Sequence, residues 1–171
     1  TRFHVDRIFN DCYNLIIYIL FTSNFCVNFS YILIFIKGIL MTLKIDSIVA
    51  RSAKVPLKRE IGSAGGNKST LDYLIVELKT EDGISGFGYT MGLGGEGSKA
   101  LVPYIHNELA PLVIGEDVST PERIWNTLWS PNKARMRGGL GVMAMSALDT
   151  ACWDAFSKSV SLPLHTILGG F

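Results

Sequence analysis

At 171 residues the chain has room for one domain of ordinary size, and a net charge of +1 with 18% charged residues offers neither a basic field for nucleic acid nor an acidic tail. Three cysteines, Cys12, Cys26 and Cys152, form neither a CxxC pair nor an even framework, which excludes a zinc ribbon and a disulfide scaffold. Cys152 lies in an apolar helical pattern and reads as a buried reduced thiol, which suits a cytoplasmic, reducing compartment.

Residues 1–40 differ from the rest. They are dominated by Phe, Ile, Asn, Tyr and Leu and contain no Ala, Pro, Glu, Gln or Met. Residues 12–36 carry no charge and are long enough to span a bilayer, but Asn14, Asn24, Asn28 and several hydroxyls interrupt them. The AT-rich codon bias of these residue types, the start at Thr1 and a first Met at Met41 favour a non-native upstream extension. A membrane anchor through 12–36 and a structured arm are the alternatives.

Residues 43–55 alternate imperfectly and read as a first strand, ended by Pro56. A polar, glycine-bearing loop is expected over 57–70, with Lys58, Arg59, Glu60 and Lys68. Residues 73–78 are a strong strand, Glu81-Asp82-Gly83 a turn, and 84–89 the antiparallel return. From Ser98 the period becomes helical, with Leu101, Val102, Ile105, Leu109 and Leu112 on one face, Pro103 in the first turn and Pro111 near the end. Thr120-Pro121-Glu122 reads as an N-cap, a first-turn proline and an acid at the positive helix end. Strands followed by helices make the chain α+β, a three-stranded antiparallel meander and then a helical bundle.

Gly92-Leu93-Gly94-Gly95-Glu96-Gly97 is a literal G-x-G-x-x-G between a strand and a helix, with Asp117 about twenty residues on, where a dinucleotide fold places its ribose-binding acid. Its preceding strand is a hairpin's second arm rather than the first strand of a parallel unit, and Glu96 would set a negative charge among phosphate-facing positions. Ser98-Lys99 also reverses the Lys-Ser order of a P-loop. A loop whose glycines supply positive φ is the simpler account.

The most specific stretch is 144–169, AMSALDTACWDAFSKSVSLPLHTILG. Small residues (Ala144, Ser146, Ala147, Ala151, Cys152, Ala155) crowd one side of a helix expected over 140–158, Asp154 precedes Lys158 by four residues, Pro163 opens a short second helix at its first turn, and Gly169-Gly170 closes it. This order of small, acidic, aromatic and Pro-Leu…Leu-Gly elements resembles the signature segment of the mandelate racemase and muconate lactonizing enzyme family of the enolase superfamily, with Cys152, Ser157 and Ile167 as conservative departures. The resemblance runs from about Met41 to the end. It implies an enolase-like capping domain over 41–160, a linker beginning at 161–171, and a (β/α)8 barrel that is absent and would follow Phe171.

That family implies a magnesium-dependent enzyme abstracting a proton α to a carboxylate, an acid-sugar dehydratase or hydroxy-acid racemase, forming a homo-oligomer when full length. The glycine loop and Arg137-Gly138-Gly139 look more like the acid-sugar dehydratase branch. The resemblance also implies that the loops 57–70 and 90–97 fold over a barrel mouth, with Lys58, Arg59, Lys68, Tyr89 and Met91 as candidates for contact with a small-molecule carboxylate. The base lysines of such enzymes commonly form Lys-x-Lys, which does not occur here. Asp149 and Asp154 point in different directions from one helix, and His4, His106 and His165 lack metal spacing, so neither catalytic nor metal-binding residues are expected and the fragment itself should be inert. A small anion- or nucleotide-binding module and a membrane-tethered interaction domain are the competing functions.

Overall fold

The computed structural model describes residues 43–63, 66–92, 97–134 and 136–170. The extension 1–40 with its 12–36 apolar run, and Leu93–Glu96 at the heart of the glycine motif, lie outside the described residues. Among those described, no helix is long and apolar enough to cross a membrane.

Strands β1 (Ile45–Ser63), β2 (Gly66–Thr80) and β3 (Ser85–Gly92) form an antiparallel sheet in sequence order, the expected meander. β2 reads its pleat directly: Leu74, Val76 and Leu78 are fully buried, whereas Ile75 between them and Lys79 after them are exposed. The helices follow as α1 (Gly97–Tyr104), a π-helical turn (Ile105–Leu109), α2 (Ala110–Val113), α3 (Pro121–Asn132), α4 (Leu140–Ser159) and α5 (Leu164–Ile167). The chain is α+β, with one core shared by the sheet's buried face and the helices: Leu74, Val76 and Leu78 join Leu101, Ile105, Leu109, Ile124, Leu128, Met145 and Leu148.

α4 lies directly on β3, and both surfaces are built for it. A Cβ on Gly86 would sit 2.1 Å from the Ala151 carbonyl oxygen, and one on Gly88 would sit 2.0 Å from that of Ala147. Glycine on the strand and alanine on the helix therefore let two backbones touch. The helix also covers the exposed edge of β3. The Phe87 N–H donates to Asp154 Oδ2 at 2.8 Å, and Lys158 donates to the Ser85 carbonyl at 2.9 Å while pairing with Asp154 at 2.5 Å. The expected Asp154–Lys158 pair exists, and it does more than decorate a surface. At the opposite edge the Ala50 N–H of β1 donates to His106 Nε2 at 2.9 Å, so this imidazole accepts through an unprotonated nitrogen. Both edges are thus blunted against strand addition.

Four local expectations need correction. β1 does not end at Pro56: it runs to Ser63, because an edge strand tolerates a residue without an N–H, and the register breaks between Pro56 and Ile61. Pro103 sits inside α1 rather than in its first turn, since the helix starts at Gly97, and a π-helical turn follows where the expectation was regular helix. Thr120 occupies the N-cap position of α3, but its hydroxyl donates back to the Asp117 carbonyl at 3.0 Å instead of capping. Pro163 is the N-cap of α5 rather than a first-turn residue. The close of α5 follows the Schellman pattern: Gly169 has φ +82°, the Gly169 N–H donates to Thr166 and the Gly170 N–H to His165.

Candidate functional site: a β-ribbon and a glycine loop at one end of the sheet

β3 ends where Gly92 pairs with Asp72, yet β1 and β2 continue past that point. Residues 55–63 and 66–71 therefore form a two-stranded ribbon beyond the third strand. The expected loop over 57–70 is this ribbon, its pairing resumed at Ile61–Lys68, Gly62–Asn67 and Ser63–Gly66. Glu60 accepts from Asn67 across it at 3.3 Å. The glycine loop leaves β3 at Gly92, so ribbon and loop emerge from the same end of the sheet.

Asp72 holds that end together. It is 5% exposed and accepts from the Ser98 backbone N–H at 3.0 Å and from the Ser98 hydroxyl. The carboxylate thereby caps the N-terminus of α1 from a neighbouring strand. A Cβ on Gly92 would fall 2.7 Å from Asp72 Oδ2, so the first glycine of the motif makes room for that carboxylate. An anion bound at this helix start would meet a resident negative charge. Asp117, the candidate ribose ligand, instead accepts from the Ser119 N–H at 2.8 Å and bridges to Lys44 through its backbone.

The five sequence candidates fall into two groups. Tyr89 and Met91 stand on the sheet's outer face, exposed by 66% and 45%. Met91 pairs with Tyr73, and the Tyr73 and Tyr89 rings meet edge to face at 6.0 Å. Lys58 and Arg59 are exposed in the irregular stretch of β1 between Pro56 and Ile61, and Lys68 is half-buried on β2 opposite Ile61. The ribbon thus carries the three cations, and the neighbouring strand carries the two exposed apolar side chains.

Among the described residues no three His, Cys, Asp or Glu side chains gather to hold a metal ion. Two groups on α4 have shifted pKa values instead. Burial pushes the Asp149 carboxyl up from 3.8 to about 6. Burial, and then the charge of Asp149, push the Cys152 thiol up to about 12, so it stays protonated and unreactive.

The sequence model described as "Mandelate racemase / muconate lactonizing enzyme, N-terminal domain" matches residues 45–169. The chain belongs to this family. Its similarity to a D-mannonate dehydratase of Rhizorhabdus wittichii is 34% identity, covering 58% of this chain and 24% of that enzyme. A D-galactonate dehydratase family member of Marinomonas sp. is 35% identical over 70% of this chain and 27% of its own length. The family's mandelate racemase and muconate lactonizing fold is also seen in an enolase from Bradyrhizobium complexed with magnesium and mandelic acid. It superposes with a TM-score of 0.69 at 25% identity, over 77% of this chain and 36% of the other. The chain therefore spans about a quarter of the length of the curated relatives it matches.

Sequence reasoning missed Asp72, Tyr73, His106 as an edge acceptor, and the paired glycines Gly86 and Gly88. Gly-x-Gly within a β-strand pattern was the available signal for a close backbone approach. Asp72 had none, because its partner is 26 residues away.

Proposed function

We propose that this chain is the capping domain of an enzyme that abstracts a proton α to the carboxylate of an acid sugar or hydroxy acid, leading to dehydration or racemisation. The observation that carries the reading is the shared exit of the ribbon and the glycine loop from one end of the sheet. In this reading both fold over the barrel mouth. Lys58, Arg59 and Lys68 offer positive charge and hydrogen bonds to the substrate's carboxylate or hydroxyls, and Tyr89 and Met91 shield the site from water. Asp72 supports the reading by fixing where the loop starts and ends.

Magnesium, implied for the full-length enzyme and present in the Bradyrhizobium relative, finds no ligand set among the described residues and is assigned to the barrel. In this reading the reacting groups belong to the barrel, and the chain alone is inert. The buried thiol of Cys152 suits the reducing cytoplasm. The exposed Phe87 and Ile75 suit assembly into a homo-oligomer.

The test begins with the gene, whose frame beyond Phe171 is expected to encode Lys-x-Lys and then spaced Asp and Glu at strand ends. The encoded protein, purified with magnesium, is expected to dehydrate an aldonic or aldaric acid or to racemise a 2-hydroxy acid. Residues 1–171 alone are expected to turn over none of them. A folded long protein inert on the whole panel, or turnover by the chain alone, overturns the reading.

A further inference from the structure

A groove between α3 and α4 combines two features that do not explain each other. Its walls are aromatic, with Trp125 and Trp153 lining a cavity of about 310 Å3 together with Asn126. Two carboxylates, Glu122 and Asp149, open into the same cavity. Among the described residues neither carboxylate has a hydrogen bond or an ion pair. Asp149 is half-buried and Glu122 exposed; the less exposed acids Asp154, Glu116 and Glu77 are matched, with Lys158, with Arg123, and with Arg51 and Lys79. Arg123 lines the adjoining hollow, but Glu116 takes it up at 3.2 Å.

We propose that this groove is a docking seat for the arginine side chain of a partner protein segment, with a bulky apolar residue of that segment in the adjoining hollow. Charge complementarity selects the cation, since two unmatched carboxylates facing one cavity call for positive charge. The tryptophans select a guanidinium, whose planar face stacks on indole while its edge donates to carboxylates in pairs. The neighbouring hollow, about 420 Å3, shares Glu122 and Trp153 with the groove and adds Pro121, Phe156 and Ile167. That continuity favours a peptide segment over a free small cation. The half-burial of Asp149, which raises its pKa with no partner to offset it, is the state expected of a seat waiting for its cation. The inference concerns α3 and α4 rather than the ribbon and loop, so it stands or falls separately from the capping-domain reading.

The experiment uses the whole chain and two short peptides, acetyl-Arg-Leu-amide and its uncharged counterpart acetyl-Gln-Leu-amide, followed through the indole N–H signals of the tryptophans. The arginine peptide is expected to move the Trp125 and Trp153 signals in a saturable way, and the glutamine peptide to bind at least tenfold more weakly. Asp149→Asn together with Glu122→Gln is expected to weaken the arginine peptide tenfold or more, with the fold checked by an unchanged or raised melting temperature. Equal responses to both peptides, no response at all, or full binding by the double variant would each overturn the proposal. So would indole shifts that depend on protein concentration in the absence of peptide, which would assign the groove to a second copy of the chain.

Discussion

Replacing Gly88 by alanine should unseat α4 from the sheet. The new methyl carbon would lie 2.0 Å from the Ala147 carbonyl oxygen and 2.7 Å from the Ala151 nitrogen, against an ordinary contact of 3.4 Å or more. The gap must therefore open by roughly 1.4 Å along that line, and both obstructing atoms are helix backbone that cannot rotate aside. A radial gap of about 0.5–1 Å already forfeits a quarter to a half of the dispersion energy of the atoms concerned. The face being lifted includes Ala144, Ala147, Leu148, Ala151 and Ala155, all fully buried. Overpacking ordinarily costs about 1–3 kcal/mol, and a rigid backbone clash belongs at the top of that range. The gain in strand propensity from Gly to Ala offsets only about 0.5 kcal/mol. A net loss of about 2.5 kcal/mol is expected, lowering the urea midpoint by more than about 1 M at the unfolding slope usual for small proteins. Gly138→Ala is the control: nothing lies within 4 Å of its Cβ position, so its change should stay within about 0.5 kcal/mol. If Gly88→Ala unfolds within that same margin of the parent chain, the close-packing argument for α4 fails.

Because folding raises the Asp149 pKa from 3.8 to about 6, the folded state holds a proton through that interval that the unfolded state has released. The parent should therefore lose stability as pH rises from about 4 to about 6 and stay lower above it. The full conversion of near 3 kcal/mol shrinks to about 1 kcal/mol for a carboxyl this open to solvent, and Asp149→Asn should remove that slope in urea titrations; an unchanged slope would refute the assignment. Asp72→Ala should leave the Ser98 N–H and hydroxyl without their acceptor, costing about 1–3 kcal/mol and speeding amide exchange at Ser98, with unaltered exchange there counting against the cap. His106→Ala should expose the Ala50 N–H at the β1 edge for about 1 kcal/mol, seen as faster exchange at Ala50 and not at Val76, a buried residue of the central strand.

The parts of this fold legible in the sequence are those whose cause is local. The alanine stripe of α4 and the alternation of β2 announce both the element and its buried face, and the signature segment carries the family. What stayed hidden depends on a partner far along the chain. Gly86 and Gly88 are ordinary strand residues until α4, some sixty residues later, is known to cross them. Pro56 reads as a strand terminator because sequence alone does not say that β1 is an edge, where a missing N–H costs no ladder bond. The two helix starts make the same point from opposite directions. Thr120-Pro121-Glu122 has the local cap pattern, and its hydroxyl bonds elsewhere. Gly97-Ser98 has none, and its cap arrives from Asp72 in the central strand. This cap also separates the glycine loop from the nucleotide loops it imitates. In those loops the glycines admit a phosphate to a bare helix N-terminus. Here the N-terminus already holds a carboxylate, and Gly92 is the glycine that admits it. The same letters thus tie both ends of the loop, Gly92 and Ser98, to Asp72 of the central strand.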